Sequence, residues 1–376
     1  MSDRQPGDQD PSSRHLFRRF PDLVGRLPWI PLVDLPTPVR KLEALGGKLG
    51  MTDLWVKRDD LTSPLYGGNK PRKLEFVLAE ARAKGRREVL TLGGFGSNHC
   101  VATTIFCRRT GFDPILMLSP QPVLSYVRKN LLVNLHHKAR MVYNESVVMS
   151  LATAARLCLG PRLRGRVPPY FMFFGGTSRA GITGFVEAGL ELAAQVEAGD
   201  LPCPKRIFVA TGSCGTHAGL IIGLKLAGLP TEVVGVRVVE KELTNRHVVA
   251  FHVNRTARYL KRLDPSVPAI RVRADEVRLL EDHFGEAYGR PTPEGKEAMA
   301  LAAETEGLTL DPTYTGKTFA GLRHTIEAEG LAHEPILFWN TLNSADLSGY
   351  TDGMSPDNLP PALQRVFTDP LYDPEL

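Results

Sequence analysis

The residues with the most chemical promise lie in Gly67-Gly68-Asn69-Lys70-Pro71-Arg72-Lys73-Leu74-Glu75, where a turn runs directly into a helix. Two glycines allow positive φ and a close approach of backbone to ligand. Pro71 suits a first helical turn, where the missing N–H costs nothing. Leu74, Val77, Leu78 and Ala81 then recur at helical spacing and predict a buried stripe. Lys70 is thereby held at the mouth of a helix. That setting suits a lysine that forms a Schiff base with a carbonyl cofactor. Taken alone, a lysine beside a Gly-rich turn is more often an ordinary surface residue.

Three other loops carry groups that suit a ligand. Thr211-Gly212-Ser213-Cys214-Gly215-Thr216-His217 follows an apolar strand and opens a helix. Helix starts present unpaired N–H groups and a positive dipole end, so Gly212, Gly215 and the hydroxyls of Thr211, Ser213 and Thr216 suit a phosphate. The loop lacks the lysine of a nucleoside-triphosphate loop and the full dinucleotide fingerprint, which leaves a small phosphate monoester or a plain βα connection. Gly93-Gly94-Phe95-Gly96-Ser97-Asn98-His99 sets Ser97, Asn98 and His99 at a second helix start. There they suit a substrate carboxylate, with Ser97 as donor or nucleophile; simple capping by Ser97 or Asn98 is the plain alternative. Asp311-Pro312-Thr313-Tyr314-Thr315-Gly316-Lys317 and Ala287-Tyr288-Gly289 each place a tyrosine in a polar turn. Both tyrosines could equally be packed aromatics.

The elements needed to position these loops follow from the apolar pattern. Strands are expected at 54–58, 89–92, 114–118, 139–143, 171–174, 207–210, 232–239 and 335–339. Helices are expected near 42–49, after Lys70, from 98, at 123–135, at 147–163, after 178, at 218–226 and at 318–328. This alternation predicts a parallel α/β sheet, whose loops gather at one edge. The pattern fades between Glu240 and Val277, and the Pro-rich tail from Asp352 reads as an irregular strap. Residues 1–15 read as a disordered leader.

Composition limits the remaining classes. With 376 residues the chain can bury a large core in two domains, and its 43% apolar and 23% charged content is that of a globular protein. The net charge of +5 is spread along the chain, so no nucleic-acid partner is expected. No apolar run reaches membrane-spanning length, and no membrane partner is expected. Cys100, Cys107, Cys158, Cys203 and Cys214 have neither metal-knuckle nor redox spacing, so the expectation is no metal and free thiols in a reducing cytoplasm.

Together these blocks resemble the D-cysteine desulfhydrase and 1-aminocyclopropane-1-carboxylate deaminase family, pyridoxal-phosphate enzymes of the tryptophan-synthase-β fold. The resemblance runs from about Leu35 to Gly321. It is strongest in Lys57-Arg58-Asp59-Asp60, Gly67 to Glu75, Gly93 to His99, Thr211 to Gly219 and Asp311 to Gly321. It implies an α/β fold of two open parallel-sheet domains, the smaller inserted in the larger. Residues 16–70 and 185–376 would form the large cofactor-binding domain and residues 71–184 the small one. A homodimer acting on a small amino-acid substrate is also implied.

By the same resemblance Lys70 carries pyridoxal 5'-phosphate, and Thr211, Gly212, Ser213, Gly215 and Thr216 hold its phosphate. Asn98 lies beside the ring, Ser97 faces the substrate carboxylate or reacting carbon, and Tyr288 and Tyr314 face the substrate. Deaminases of the family carry a glutamate after the tyrosine, near the ring nitrogen; desulfhydrase-like members carry threonine, as at Thr315. A neutral hydroxyl there makes the ring a weaker electron sink and favours a good β leaving group. His99 points to the same side.

Two departures stand out. Thr341-Leu342-Asn343-Ser344 replaces the usual Thr-Gly-Gly, leaving Thr341 as a further candidate for the ring nitrogen, and Cys100-Val101-Ala102 stands where an Arg-Gln pair is common. The expected activity is β-elimination from D-cysteine, giving pyruvate, sulfide and ammonia. The alternatives are aminocyclopropane-carboxylate deamination, cofactor binding without turnover, and racemisation.

Overall fold

The computed structural model describes residues 10–374, so residues 1–9 of the expected leader lie outside the described residues. In chain order the first elements are α1 (His15–Arg19), β1 (Val39–Lys41), α2 (Glu43–Lys48), β2 (Leu54–Lys57) and α3 (Lys70–Ala83). Next come β3 (Glu88–Gly94), α4 (Asn98–Arg109), β4 (Asp113–Ser119), α5 (Ser125–His136), β5 (Arg140–Tyr143), α6 (Val147–Leu163) and β6 (Tyr170–Met172). They are followed by α7 (Arg179–Glu197), β7 (Arg206–Thr211), α8 (Gly215–Ala227), β8 (Glu232–Arg237), α9 (Arg246–Leu263) and β9 (Arg278–Leu280). The last are α10 (Pro293–Glu306), α11 (Thr315–Glu329), β10 (Ile336–Trp339) and α12 (Pro361–Thr368).

The chain divides into two compact units. The larger comprises residues up to Phe76 with Arg179–Ser344; the smaller comprises Val77–Ser178 with the residues from Ala345 onward. The sequence reading drew its boundaries at 70/71 and 184/185 and gave the tail to the large domain. The tail goes with the smaller unit because Leu359, Leu363 and Val366 are buried in a cluster with Phe95, Leu118 and Leu131. Most of the tail is the irregular strap expected, but within it Pro361–Thr368 forms α12, started by Pro361 and held by an apolar stripe at helical spacing.

In the larger unit six strands lie in the order β1-β2-β10-β7-β8-β9, all parallel except the antiparallel edge strand β1. Alternation along the central strands builds two cores. Phe208, Val234, Val236 and Phe338 face Ala298, Ala302 and Phe319 of α10 and α11. Ile207, Val209, Leu337 and Trp339 face Phe185, Ala188 and Leu220 of α7 and α8. The smaller unit repeats the plan with four parallel strands in the order β5-β4-β3-β6. Leu116 and Leu118 pack toward α5 and α12, while Leu90, Leu92, Ile115 and Met117 pack on Ala154 of α6.

Three local expectations need correction. The faded stretch contains the 18-residue helix α9, capped by Asn245. Its buried Val249, Ala250, Val253, Thr256, Ala257 and Leu260 keep helical spacing, but Arg255, Arg258, Lys261 and Arg262 between them hide the stripe. The strands β1 and β9 have three residues each, too few for an apolar pattern to register. Residues 10–15 of the expected leader are ordered. Arg14 is buried and pairs with Glu75 at 2.5 Å, and Glu187 accepts the N–H groups of His15 and Leu16 at 2.8 and 2.7 Å.

Candidate active site

The support beneath Lys70 is a balanced set of buried charges. Arg72, two residues into α3, donates to Asp59 at 2.7 and 3.0 Å and to Glu191 at 2.8 Å. Lys57 donates to Glu191, to the Thr37 carbonyl and to Gln195 at 2.5–2.6 Å, and Trp339 Nε1 donates to Asp59 at 2.7 Å. Burial opposes the charge on Arg72, but Asp59 and Glu191 more than offset it, so its pKa is raised. Removing one member of such a set leaves an uncompensated buried charge, at about 3–5 kcal/mol. The Lys57-to-Asp60 block is therefore the foundation on which the first turn of α3 is laid.

On that foundation the glycine turn is tightly held. Gly68 has φ +84°, and a Cβ there would lie 2.6 Å from the Thr341 carbonyl oxygen. Asn69 then joins two of the expected features. Its Oδ1 accepts from Lys70 Nζ at 2.9 Å, while its Nδ2 donates to Thr216 Oγ1 at 3.1 Å. The Lys70 side chain is partly exposed, yet its amine sits deep enough that burial lowers its pKa to about 8, with Asp311 acting in the opposite sense.

The Thr211–Thr216 loop connects β7 to α8. Cys214 takes a left-handed conformation (φ 63°) just before the helix and makes no side-chain cap, so its side chain takes none of the first N–H groups of α8, which like those of any helix have no intrahelical acceptor. Thr216 accepts from Asn69, which leaves its hydroxyl hydrogen to donate elsewhere. Thr211 is placed differently from expectation. His217 is buried, which lowers its pKa to about 4, and its Nε2 donates to the Val233 carbonyl at 3.2 Å. Its Nδ1 is then an acceptor and takes the Thr211 hydroxyl at 3.3 Å, turning that group inward. Lys73, one turn beyond Lys70, is also buried. Burial lowers its pKa, Lys70 adds to the effect, and Cys214 of the loop counters it. Sequence reasoning missed Lys73, although i,i+3 spacing from Lys70 puts the two on one helix face.

Tyr288 and Tyr314 come together, with their hydroxyls 2.6 Å apart and their rings edge to face. Lys70 Nζ lies 5.9 Å from the Tyr314 ring centroid. Asp311 shapes this corner by accepting the N–H groups of Thr313 and Tyr314 at 2.9 and 2.7 Å. It also takes the Thr315 hydroxyl at 2.7 Å, while its own N–H donates back to Thr315 Oγ1 at 2.7 Å. The hydroxyl hydrogen expected for a ring nitrogen is thus engaged inside the loop by Asp311, four residues earlier. Thr341 adjoins the lysine turn, its carbonyl accepting the Asn69 N–H at 3.3 Å.

Ser97, Asn98 and His99 belong to the smaller unit. Ser97 caps α4, its Oγ accepting the Cys100 N–H at 3.3 Å. Asn98 Oδ1 accepts from Asn130 at 3.1 Å. His99, expected to bind substrate, is buried and turned toward β3. Thr91 donates its hydroxyl to the Met172 carbonyl at 2.9 Å and so accepts from His99 Nε2 at 2.9 Å.

The family model for pyridoxal-phosphate dependent enzymes matches residues 30–341. The chain belongs to this family. It is 34% identical over 337 residues to a D-cysteine desulfhydrase of Yersinia enterocolitica, covering 87% of this chain and 97% of the relative. A D-cysteine desulfhydrase of Salmonella newport is likewise 34% identical, over 333 residues. Among solved structures, an ACC deaminase homologue is 29% identical with a TM-score of 0.74, covering 93% of this chain and 100% of the other. A threonine deaminase of Solanum lycopersicum, 15% identical with a TM-score of 0.58, shares the fold. The residues present in this pyridoxal-phosphate dependent enzyme fit the cofactor. An uncapped helix start, the hydroxyls of Ser213 and Thr216 and the buried amine of Lys73, a hydrogen-bond donor, suit a phosphate. The amine of Lys70, tied to that loop through Asn69, suits an aldehyde.

Proposed function

We propose that this enzyme eliminates the β-substituent of a small amino acid, with D-cysteine and water converted to pyruvate, sulfide and ammonia. The observation that carries the reading is the Asn69 bridge, which couples the Lys70 amine to Thr216 of the phosphate loop at 2.9 and 3.1 Å. The names of the relatives supply the substrate class.

When bound, pyridoxal phosphate supplies an aldehyde for the substrate amine and a ring that draws off electrons as the α-proton leaves. Lys70 holds the group at Nζ and, with a pKa of about 8, has an appreciable neutral fraction at physiological pH to accept that α-proton. Asn69 Oδ1 then receives a hydrogen bond from the resulting ammonium. Ser213, Thr216 and the start of α8 bind the phosphate, with Gly212 and Gly215 giving its oxygens access to backbone and Thr211 anchoring the strand end. The paired hydroxyls of Tyr288 and Tyr314 hold a proton between two oxygens and can deliver it to the departing sulfur. Thr341, whose carbonyl accepts the Asn69 N–H, is the candidate for the ring nitrogen on the resemblance alone. Ser97 and Asn98 are assigned to the substrate carboxylate on the resemblance alone; Ser97 keeps its hydroxyl hydrogen to donate while its oxygen caps α4. Thr315, locked to Asp311, brings no carboxylate of its own toward a ring nitrogen, which fits a reaction with a good leaving group.

A cytoplasmic location is supported by five free thiols, and no described helix is long and apolar enough to cross a membrane. A homodimer rests on the resemblance alone. The test is sulfide and pyruvate release from D-cysteine, with L-cysteine and aminocyclopropane carboxylate in parallel. Release from D-cysteine is expected; 2-oxobutanoate from aminocyclopropane carboxylate as the main product would overturn the assignment.

A further inference from the structure

The segment after β10, where Thr341-Leu342-Asn343-Ser344 departs from the usual Thr-Gly-Gly, closes on the lysine turn. Asn343 Oδ1 accepts the Gly67 N–H at 2.5 Å. Ser344 Oγ donates to Asp60 Oδ2 at 2.6 Å, and its N–H donates to the Asp60 carbonyl at 3.3 Å. Gly67 is pinned from its other side. A Cβ there would lie 1.9 Å from the Asp60 carbonyl oxygen and 3.5 Å from Asn343 Oδ1. Asp60 in turn is gripped by Arg58 through bonds of 2.7–3.1 Å. Further along, the Gly68 N–H donates to the Asp59 carbonyl at 2.8 Å, and the Thr62 hydroxyl donates to the Gly68 carbonyl at 2.8 Å. Every peptide from Gly67 to Asn69 is thereby held, and the hold at Gly67 comes from a side chain 276 residues away.

We propose that Asn343, supported by Ser344, is a positioning residue for Lys70. It fixes the Gly67 peptide, hence the placement of Asn69, and hence the direction in which Asn69 presents the lysine amine to Thr216. A glycine at 343 would have no side chain to reach Gly67, so the hold depends on the residue this chain has there. The catalytic meaning rests on Lys70 being the cofactor lysine; the hold on the turn does not.

The test uses the full-length chain and two readouts. The first is the pH dependence of acetylation of Lys70 in the cofactor-free protein, read by mass spectrometry of its peptide. The second is the dissociation constant of pyridoxal phosphate, read by absorbance. In the unsubstituted chain half-maximal labelling is expected near pH 8. In Asn343→Ala the turn loosens and water reaches the amine. The midpoint then rises by about one pH unit toward the ordinary lysine value, and pyridoxal phosphate binds about tenfold more weakly. A folded Asn343→Ala protein with both values unchanged overturns the proposal. Should that variant fail to fold, Ser344→Ala is read in the same way, with a smaller shift of the same sign expected and no shift overturning it. Failure of the unsubstituted Lys70 to take up pyridoxal phosphate would instead sink the cofactor reading. The comparison of labelling midpoints would still decide the role of Asn343.

Discussion

Two turns in this chain are written in the same grammar of strand, glycine-rich loop and helix start, yet they fold differently. Before α4, Ser97 turns back and caps the helix on the Cys100 N–H. The loop is so closed that a Cβ on Gly93 would lie 2.5 Å from Ser97 Oγ and 2.7 Å from Cys100 Sγ. Before α8, Cys214 adopts a left-handed conformation without capping, and a Cβ on Gly212 would meet nothing nearer than 3.5 Å. One loop spends a helix-start donor on itself and packs tight. In the other no side chain caps the helix start, and there is more room at Gly212. Sequence alone makes both look like anion sites; what separates them is whether the loop's own side chains already use the helix N–H groups.

The contrast can be broken at several strengths. Lys70→Ala should have the largest effect, lowering turnover at least about a thousandfold while the protein keeps its fold. Assay of sulfide release alongside circular dichroism checks this, and a variant with full activity would remove the centre of the scheme. Cys214→Asp places a carboxylate beside the proposed phosphate and should weaken pyridoxal phosphate binding by about a hundredfold. An unchanged affinity would mean that the α8 loop is no more a phosphate site than the α4 loop.

The pH dependence of cofactor uptake comes next in size. The Lys70 pKa is lowered to about 8, so below that pH the amine is increasingly an ammonium, which is not a nucleophile. Uptake by the cofactor-free protein should therefore fall about tenfold per pH unit below 8 and level off above it. Stopped-flow absorbance across pH 6–9.5 measures it, and a rate still rising tenfold per pH unit at pH 9.5 would contradict the burial of the amine. The smallest effect belongs to Ser97→Ala. Loss of the cap should lower stability by about 1 kcal/mol and leave the pyridoxal phosphate dissociation constant within about twofold. A large loss of cofactor affinity with unchanged stability would reverse the assignment of the two loops.

Much of the architecture was legible because it is local. The apolar runs at 89–92, 114–118 and 207–210 each lie inside a buried strand, and 147–163 is α6 to the residue. What escaped was either short, as with β1 and β9, or diluted by charge, as with α9. The candidate site was legible to the extent that a residue type declares its chemistry: Lys70, Gly212, Thr216 and the two tyrosines gather in the larger unit. Asn69, Lys73, Asp311 and Asn343 were not singled out as site residues, since an asparagine or a buried lysine has no meaning until its partner is known. Thr211, Thr315 and His99 show the reverse. Each is a competent polar group, and each is turned to an internal partner, respectively His217, Asp311 and Thr91.

The sequence by itself determined the alternation of strands and helices, the glycine turns that open the loops and the lysine at the mouth of α3. These depend on steric freedom and apolar spacing within a few residues. Tertiary structure alone decided which polar groups remain available. Balanced burial of Lys57, Asp59, Arg72 and Glu191, the bridge from Asn69 to Thr216 and the grip of Asn343 on Gly67 all join residues far apart in the chain. The physical reason is that a hydrogen bond is directional and short in reach, so whether a donor is spent inward or kept for a ligand is settled only when distant segments meet.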